Sequence, residues 1–242
     1  MRILYQLTSP MDKTIGPQEV ARRQGVLQAS AAAGTEVAAE PTAKGPAAIE
    51  SAHDAALVVP ELIRLAPRAE ERGFSAIIVG CYSDPGLDAL REMLRIPVIG
   101  PGAASLHVAA QLGTRISLLT PAGRGYGRVA ARMRALALGP LLASVRGIGL
   151  SVMDLAQQKP GALDKAAEAA RVAVDQDGAD VLVLGCMSMA FLPGVTQALG
   201  KKVGVPVVNP VIAALKTAEA CVAMGLAHSK KAWPVPKPQE VV

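Results

Sequence analysis

Residues 73–87 read GFSAIIVGCYSDPGL, and residues 178–191 read GADVLVLGCMSMAF. Each begins at a glycine, passes through a short apolar run rich in β-branched residues, and ends on Gly-Cys. A run of that kind with no polar alternation is what a strand buried on both faces looks like. The two copies keep register, since 178 − 73 = 105 and 186 − 81 = 105. Downstream, IPVIGP at 96–101 is answered by VPVVNP at 205–210, an offset of 109, so the second copy has gained four residues between helix and strand. A shared offset across a strand, a cysteine, a helix and a further strand indicates an internal repeat.

Outward from these runs, short apolar segments alternate with longer Ala-rich ones. The first half predicts strands at Ile3–Leu7, Glu36–Ala39, Ala76–Val79 and Pro97–Ile99. Helices are expected at about Gln18–Ala33, Asp54–Arg72, Leu87–Leu94 and Ala103–Leu112. The second half predicts strands at Arg115–Leu119, Val145–Val152, Val181–Leu184 and Val207–Val208. Its helices are expected at about Arg124–Leu138, Ala162–Gln176, Pro193–Leu199 and Val211–Met224. This is the pattern of an α/β protein with parallel sheets covered by helices on both faces. The Pro- and Lys-rich tail from Ser229 is expected to run extended over the surface.

Composition narrows the function. Of 242 residues, 51% are hydrophobic but only 2% aromatic, so Ala, Val, Leu and Ile must fill the core and stacking platforms for single-stranded nucleic acid are lacking. The net charge of +5 is dispersed, apart from RGYGRVAARMR with Arg124, Arg128, Arg132 and Arg134, read as a solvated helix face. No nucleic-acid or membrane partner is expected. Three cysteines are too few for a disulfide framework, the N-terminus lacks a signal-peptide layout and no run has membrane-spanning length, so a reduced cytoplasmic protein is expected. There is no GxGxxG followed by an acidic residue, no GxxxxGKS, no GxSxG and no His/Cys/Asp cluster at metal spacing, so neither cofactor nor metal is expected.

In such folds ligands bind at the C-terminal edge of the strands. The repeat puts a thiol on that edge in each half. If the halves face each other, Cys81 and Cys186 flank one cleft. A thiol and a thiolate on opposite faces of a carbon next to a carbonyl form a two-base system, one removing a proton and the other delivering one. Asp84, as N-cap with Pro85 first in the following helix, places Cys81 near a helix N-terminus that would lower its pKa, and Ser188 can cap similarly after Cys186. Backbone N–H groups near Tyr82 and Met187 are candidates for holding an oxyanion. A lone strand-end cysteine is ordinarily a small buried apolar residue; two at matched positions point to chemistry. Cys221 reads as core packing, and His53, His107 and His228 are scattered.

GCYSDPGL and VLGCMSMA, with IESAHDAA upstream at 49–56 and GVPVVNPVIAALKTAEA downstream at 204–220, resemble the Asp/Glu/hydantoin racemase superfamily, in particular its hydantoin and allantoin racemase branch. The resemblance runs from about residue 2 to 228. It implies a pair of pseudo-symmetric flavodoxin-like three-layer domains with the active site between them, the first discontinuous (1–100 plus 210–242) and the second 101–209. It also implies catalysis by Cys81 and Cys186 as paired acid and base on a small-molecule substrate, no cofactor, a Thr120 hydroxyl lining the site, and a homo-oligomer. Where relatives carry Asn-Pro-Asn-Ser/Thr after the first strand, this chain reads LTSPMDKT, so Thr8 and Ser9 stand in place of an amide. Substrate contacts are expected from Thr8, Ser9, Tyr82, Ser83, Thr120, Met187 and Ser188, and the preferred substrates are 5-substituted hydantoins or similar cyclic ureides. The rival readings are an Asp or Glu racemase, a decarboxylase or cis–trans isomerase of the same superfamily, and a ligand-binding or thiol-redox protein without catalysis.

Overall fold

The computed structural model describes residues 1–123 and 125–237; Arg124 and the last five residues of the tail, 238–242, lie outside them. Among the described residues there are two four-stranded parallel sheets of identical topology. In the first, β1 (Arg2–Leu7), β2 (Glu36–Glu40), β3 (Ala76–Gly80) and β4 (Val98–Ile99) run in the order β2-β1-β3-β4. In the second, β5 (Ile116–Thr120), β6 (Leu142–Gly147), β7 (Val181–Leu184) and β8 (Val207–Val208) run β6-β5-β7-β8. The helices of the first half are α1 (Met11–Thr14), α2 (Pro17–Ser30), α3 (Ala52–Glu71), α4 (Leu87–Met93) and α5 (Pro101–Ala109). Those of the second are α6 (Tyr126–Ala135), α7 (Val152–Ala156), α8 (Ala162–Asp175), α9 (Met187–Ala190), α10 (Val195–Val203) and α11 (Pro210–Ala223).

The strands are apolar on both faces because both are covered. Ile3, Tyr5 and Leu7 of β1 point into a core shared with Leu119, Leu182 and Leu184 of the second half, while Leu4, Ile77 and Val79 point into a separate layer with Val58 and Leu62 of α3. Val181 and Val183 face a third layer built around Leu106 of α5 and Met133 of α6. The two helices after the edge strands tie the halves together: α11 packs on β3 and β4, α5 reaches β7 and β8, and the two helices pack on each other.

Short helices account for most of the differences from expectation. The strand expected at Val145–Val152 ends at Gly147, and α7 begins at Val152 behind a capping box formed by Ser151 and Asp154. β6 is an edge strand and only half-buried, so its sequence lacks the full apolar signature. The helix expected at Pro193–Leu199 is α10, two residues later at its start and four longer at its end, with the four-residue α9 before it. The tail is not simply extended: a turn at Ser229–Trp233 is pinned by Lys230 Nζ, which donates to the carbonyls of Arg91, Glu92 and Leu94 at 2.5–3.0 Å.

Candidate functional site

In each sheet the chain leaves the central strand on one side for its neighbour and then crosses back to the other side. The central strand and the strand with the cysteine therefore diverge at a switch point, where α/β sheets open a crevice. The two switch points share one cleft of about 1140 Å³. Cys81 and Cys186 both line it, as do Thr8, Ser9, Tyr82, Ser83, Thr120, Met187 and Ser188.

Gly-Cys at each strand end has a steric cause. A Cβ on Gly80 would lie 2.8 Å from the Gln6 carbonyl oxygen and 2.8 Å from the Tyr5 ring. A Cβ on Gly185 would lie 2.9 Å from the Leu119 carbonyl oxygen and 2.9 Å from Thr120. The bare backbone lets each cysteine strand close up against the end of its central strand, and the thiol then turns outward at the edge.

Cys81 is half-buried and its Sγ lies 3.2 Å from Ser83 Oγ. Cys186 is buried, 7% exposed, and stands at the N-cap position of α9, near the backbone N–H groups of Ser188 and Met189. The expected lowering of the thiol pKa values is overturned. Burial pushes both thiols up, Cys186 to about 11, against the opposing pull of those N–H groups and, for Cys81, of the Ser83 hydroxyl and N–H. Charged thiolate loses more solvation in this apolar setting than the local donors return.

The expectation for Asp84 also changes. Its φ is +50°, and α4 is capped by Gly86, with Leu87 rather than Pro85 as its first residue. The Asp84 carboxylate instead accepts from the N–H groups of Gly102 and Ala103, both at 2.9 Å, at the start of α5. Asp84 therefore caps the helix that leads into the second half, and pairs with Arg132 of α6. Ser188 lies inside α9 rather than capping it, and its hydroxyl accepts from Arg23 of α2 at 3.1 Å. Thr120 Oγ1 leans on the Arg146 carbonyl at 3.4 Å.

Arg132 was expected on a solvated face; its side chain is 22% exposed and turned toward the cleft, whereas Arg128 and Arg134 are exposed. Arg23, 2% exposed, and Tyr5, 0% exposed, were not anticipated at all. Tyr5 lies over Gly80, its hydroxyl lacks a partner among the described residues, and burial together with both nearby cysteines holds its phenol well above the usual range. His107 is exposed, and His228 bonds Val98, away from the cleft. Cys221 packs against the shared core. Among the described residues no three His, Cys, Asp or Glu side chains come together as a metal site, and no helix is long and apolar enough to cross a membrane.

A family model described as Asp/Glu/Hydantoin racemase matches residues 22–218. A hydantoin racemase of Paenarthrobacter aurescens is 36% identical over 82% of this chain and 84% of its own. A hydantoin racemase of Pseudomonas sp. (strain NS671) is 31% identical over 95% of this chain and 93% of its own. Among solved structures, an allantoin racemase from Klebsiella pneumoniae superimposes with a TM-score of 0.88 at 30% identity, covering 100% of this chain and 96% of that one.

Proposed function

This chain belongs to the Asp/Glu/hydantoin racemase family and is a racemase, and from that premise we propose that it inverts C5 of 5-substituted hydantoins or related cyclic ureides such as allantoin, with Cys81 and Cys186 as the paired acid and base. The observation that carries this reading is the presence of both cysteines, at equivalent strand ends of two repeated halves, on one cleft.

One cysteine, as thiolate, takes the proton from one face of the carbon. The electron pair passes into the adjacent carbonyl as an enolate, and the opposite thiol delivers a proton to the other face. Thiolate and thiol have then exchanged places, and the protein is set for the other enantiomer until protons exchange with water. Backbone N–H groups at Tyr82 and Met187, with hydroxyls of Thr8, Ser9, Ser83, Ser188 and Thr120, are our candidates to hold the enolate and the ring. The proposal uses no cofactor.

A neutral ring suits the cleft better than a free amino acid. Leu7, Met11, Ile15, Leu150 and Met153 give it apolar walls, and two of the four arginines that line it are committed to carboxylates of the protein, Arg23 to Glu19 and Arg132 to Asp84. The packing of α11 on the first sheet and α5 on the second supports dividing the chain into 1–100 plus 210–242 and 101–209. With three free cysteines, the protein is proposed to work in the cytoplasm, and as a homo-oligomer.

The test is incubation with an enantiopure 5-substituted hydantoin in deuterated water, following optical rotation and deuteration at C5, with Cys81→Ser and Cys186→Ser in parallel. Racemisation lost in either variant is expected. Turnover of aspartate or glutamate instead, loss of carbon dioxide from a malonate, or tight binding without exchange would each replace this reading by one of its rivals.

A further inference from the structure

We propose that each half supplies an arginine that crosses the cleft to brace the loop behind the other half's cysteine: Arg132 of α6 behind Cys81, and Arg23 of α2 behind Cys186. The proposal rests on the reading of the two cysteines as the acid–base pair.

The two arginines occupy corresponding places in the repeat. α2 lies between the central strand β1 and its neighbour β2, and α6 lies between β5 and β6. Arg132 Nη1 donates to the Tyr82 carbonyl at 2.7 Å, and its Nη2 pairs with Asp84. Both partners lie within three residues of Cys81. Arg23 Nη2 donates to Ser188 Oγ, two residues after Cys186, and its guanidinium rests 4.8 Å above the Phe191 ring. Its charge is balanced by Glu19 on its own helix, with Nε donating to Oε1 at 2.8 Å. Arg132 instead has its counter-charge in the opposite half, at Asp84 of the Cys81 loop, which the N–H groups of Gly102 and Ala103 at the start of α5 also hold.

The approach of Arg132 is built in. A Cβ on Gly102 would lie 2.2 Å from the Tyr82 carbonyl oxygen and 2.7 Å from the Arg132 guanidinium carbon, so helix, loop and arginine meet only because residue 102 has no side chain. The consequence for the sulfur runs through one peptide plane. The Tyr82 carbonyl and the Ser83 N–H belong to the same rigid unit and point in opposite directions. With the carbonyl held by Arg132, the N–H is turned toward Cys81, where it acts beside the Ser83 hydroxyl. In the second half the braced residue is Ser188, whose N–H lies near Cys186.

Other charged or titratable groups act on the same sulfurs. Cys81 is faced by Asp84, Arg132, Tyr5 and Cys186, and Cys186 by Arg23, Tyr5 and Cys81. Tyr5 and the partner thiol are common to both sites; the arginines are the cations that differ. Removing one arginine therefore tests one sulfur at a time. Turnover alone would not do so, because enantiomers are isoenergetic and kcat/KM must fall equally in both directions whichever thiol is affected.

The experiment measures alkylation by iodoacetamide against pH in two backgrounds, Cys186→Ser/Cys221→Ser to report Cys81 and Cys81→Ser/Cys221→Ser to report Cys186. Arg132→Gln is expected to slow alkylation of Cys81 at pH 8 about tenfold and to leave Cys186 within about twofold; Arg23→Gln should do the reverse. Arg132→Lys keeps the charge beside Asp84 but not the two-pronged contact, and should give a smaller slowing, about threefold, again of Cys81 alone; it carries the test if the glutamine variant does not fold. Equal effects on both thiols, or on neither, overturn the proposal. Racemisation by the unmodified protein is scored separately, so a failed activity assay with crossed titrations rejects the catalytic reading and keeps the arginine roles, and the opposite pattern does the converse.

Discussion

Glu50 Oε1 accepts a 2.7 Å hydrogen bond from the backbone N–H of Val152, 102 residues further along the chain. Both residues line the cleft, Glu50 on the loop leading into α3 and Val152 at the first turn of α7, so the bond spans the mouth from one half to the other. Exposed hydrogen bonds to a charged group contribute on the order of 1 kcal/mol. Glu50→Ala is therefore expected to leave the melting temperature nearly unchanged and to raise KM by about threefold to tenfold with little change in kcat. A fall in kcat with KM unchanged would show that this bond does not shape substrate binding at the cleft mouth.

The catalytic proposal fixes the sign of the pH dependence. The productive form holds one thiolate and one thiol. At low pH both are thiols and at high pH both are thiolates, and either state is inactive. Burial raises both, Cys186 to about 11, so kcat/KM should climb through neutral and mildly alkaline pH and fall only toward pH 11. The apparent values belong to the pair rather than to either sulfur. Ser83→Ala removes a donor 3.2 Å from Cys81 and should move the rising limb to higher pH. A bell centred near pH 7 would contradict this assignment.

Gly80→Ala places a methyl 2.8 Å from the Gln6 carbonyl and from the Tyr5 ring. Overpacking of this kind costs about 1–3 kcal/mol, and here it displaces the strand end that carries Cys81. A lowered denaturation midpoint with reduced kcat is expected. Gly127→Ala in α6 is the control: nothing lies within 4 Å of the new methyl, so it should stabilise by about 0.5–1 kcal/mol. Chemical denaturation of both variants checks the contrast.

Trp233 is the only tryptophan in the chain, and it lines the cleft. Its Nε1 donates to Asp88 at 3.2 Å, and Arg91 lies 5.1 Å above its ring. Intrinsic fluorescence should therefore change saturably on titration with a hydantoin, with a midpoint near KM when chemistry is slow. Trp233→Phe should abolish the signal while racemisation persists. A flat signal at saturating substrate would show that the ligand does not reach this end of the cleft.

Much of the architecture was legible along the chain. Val181–Leu184 and Val207–Val208 are strands at the expected residues, and most other elements lie within two or three residues of expectation. The exceptions are short. Helices α1, α7 and α9 span four or five residues, too few to show a helical period, and α7 was hidden inside what looked like the end of a strand. All nine expected site residues lie on the cleft, but the roles of the polar groups around them were misread. Asp84 has the sequence of a local cap, Asp-Pro-Gly-Leu, and only the arrival of α5 from the next element gives its carboxylate a different helix to cap. Arg132 lies in a run that reads as a solvated face, since a side chain that pairs across the cleft carries no local mark.

The sequence by itself determined the two parallel sheets, their repeat, and a thiol at the end of the third strand in each half. Those follow from apolar runs, β-branched residues and Gly-Cys junctions, all of which act within a few neighbours. Only the tertiary structure decided what surrounds the sulfurs: Arg132 and Asp84 behind one, Arg23 and Ser188 behind the other, and Tyr5 close to both. Charge and hydrogen bonding act through space over a few ångströms, and those ångströms are closed here between residues far apart in the chain, 48 positions for Arg132 and Asp84 and 165 for Arg23 and Ser188.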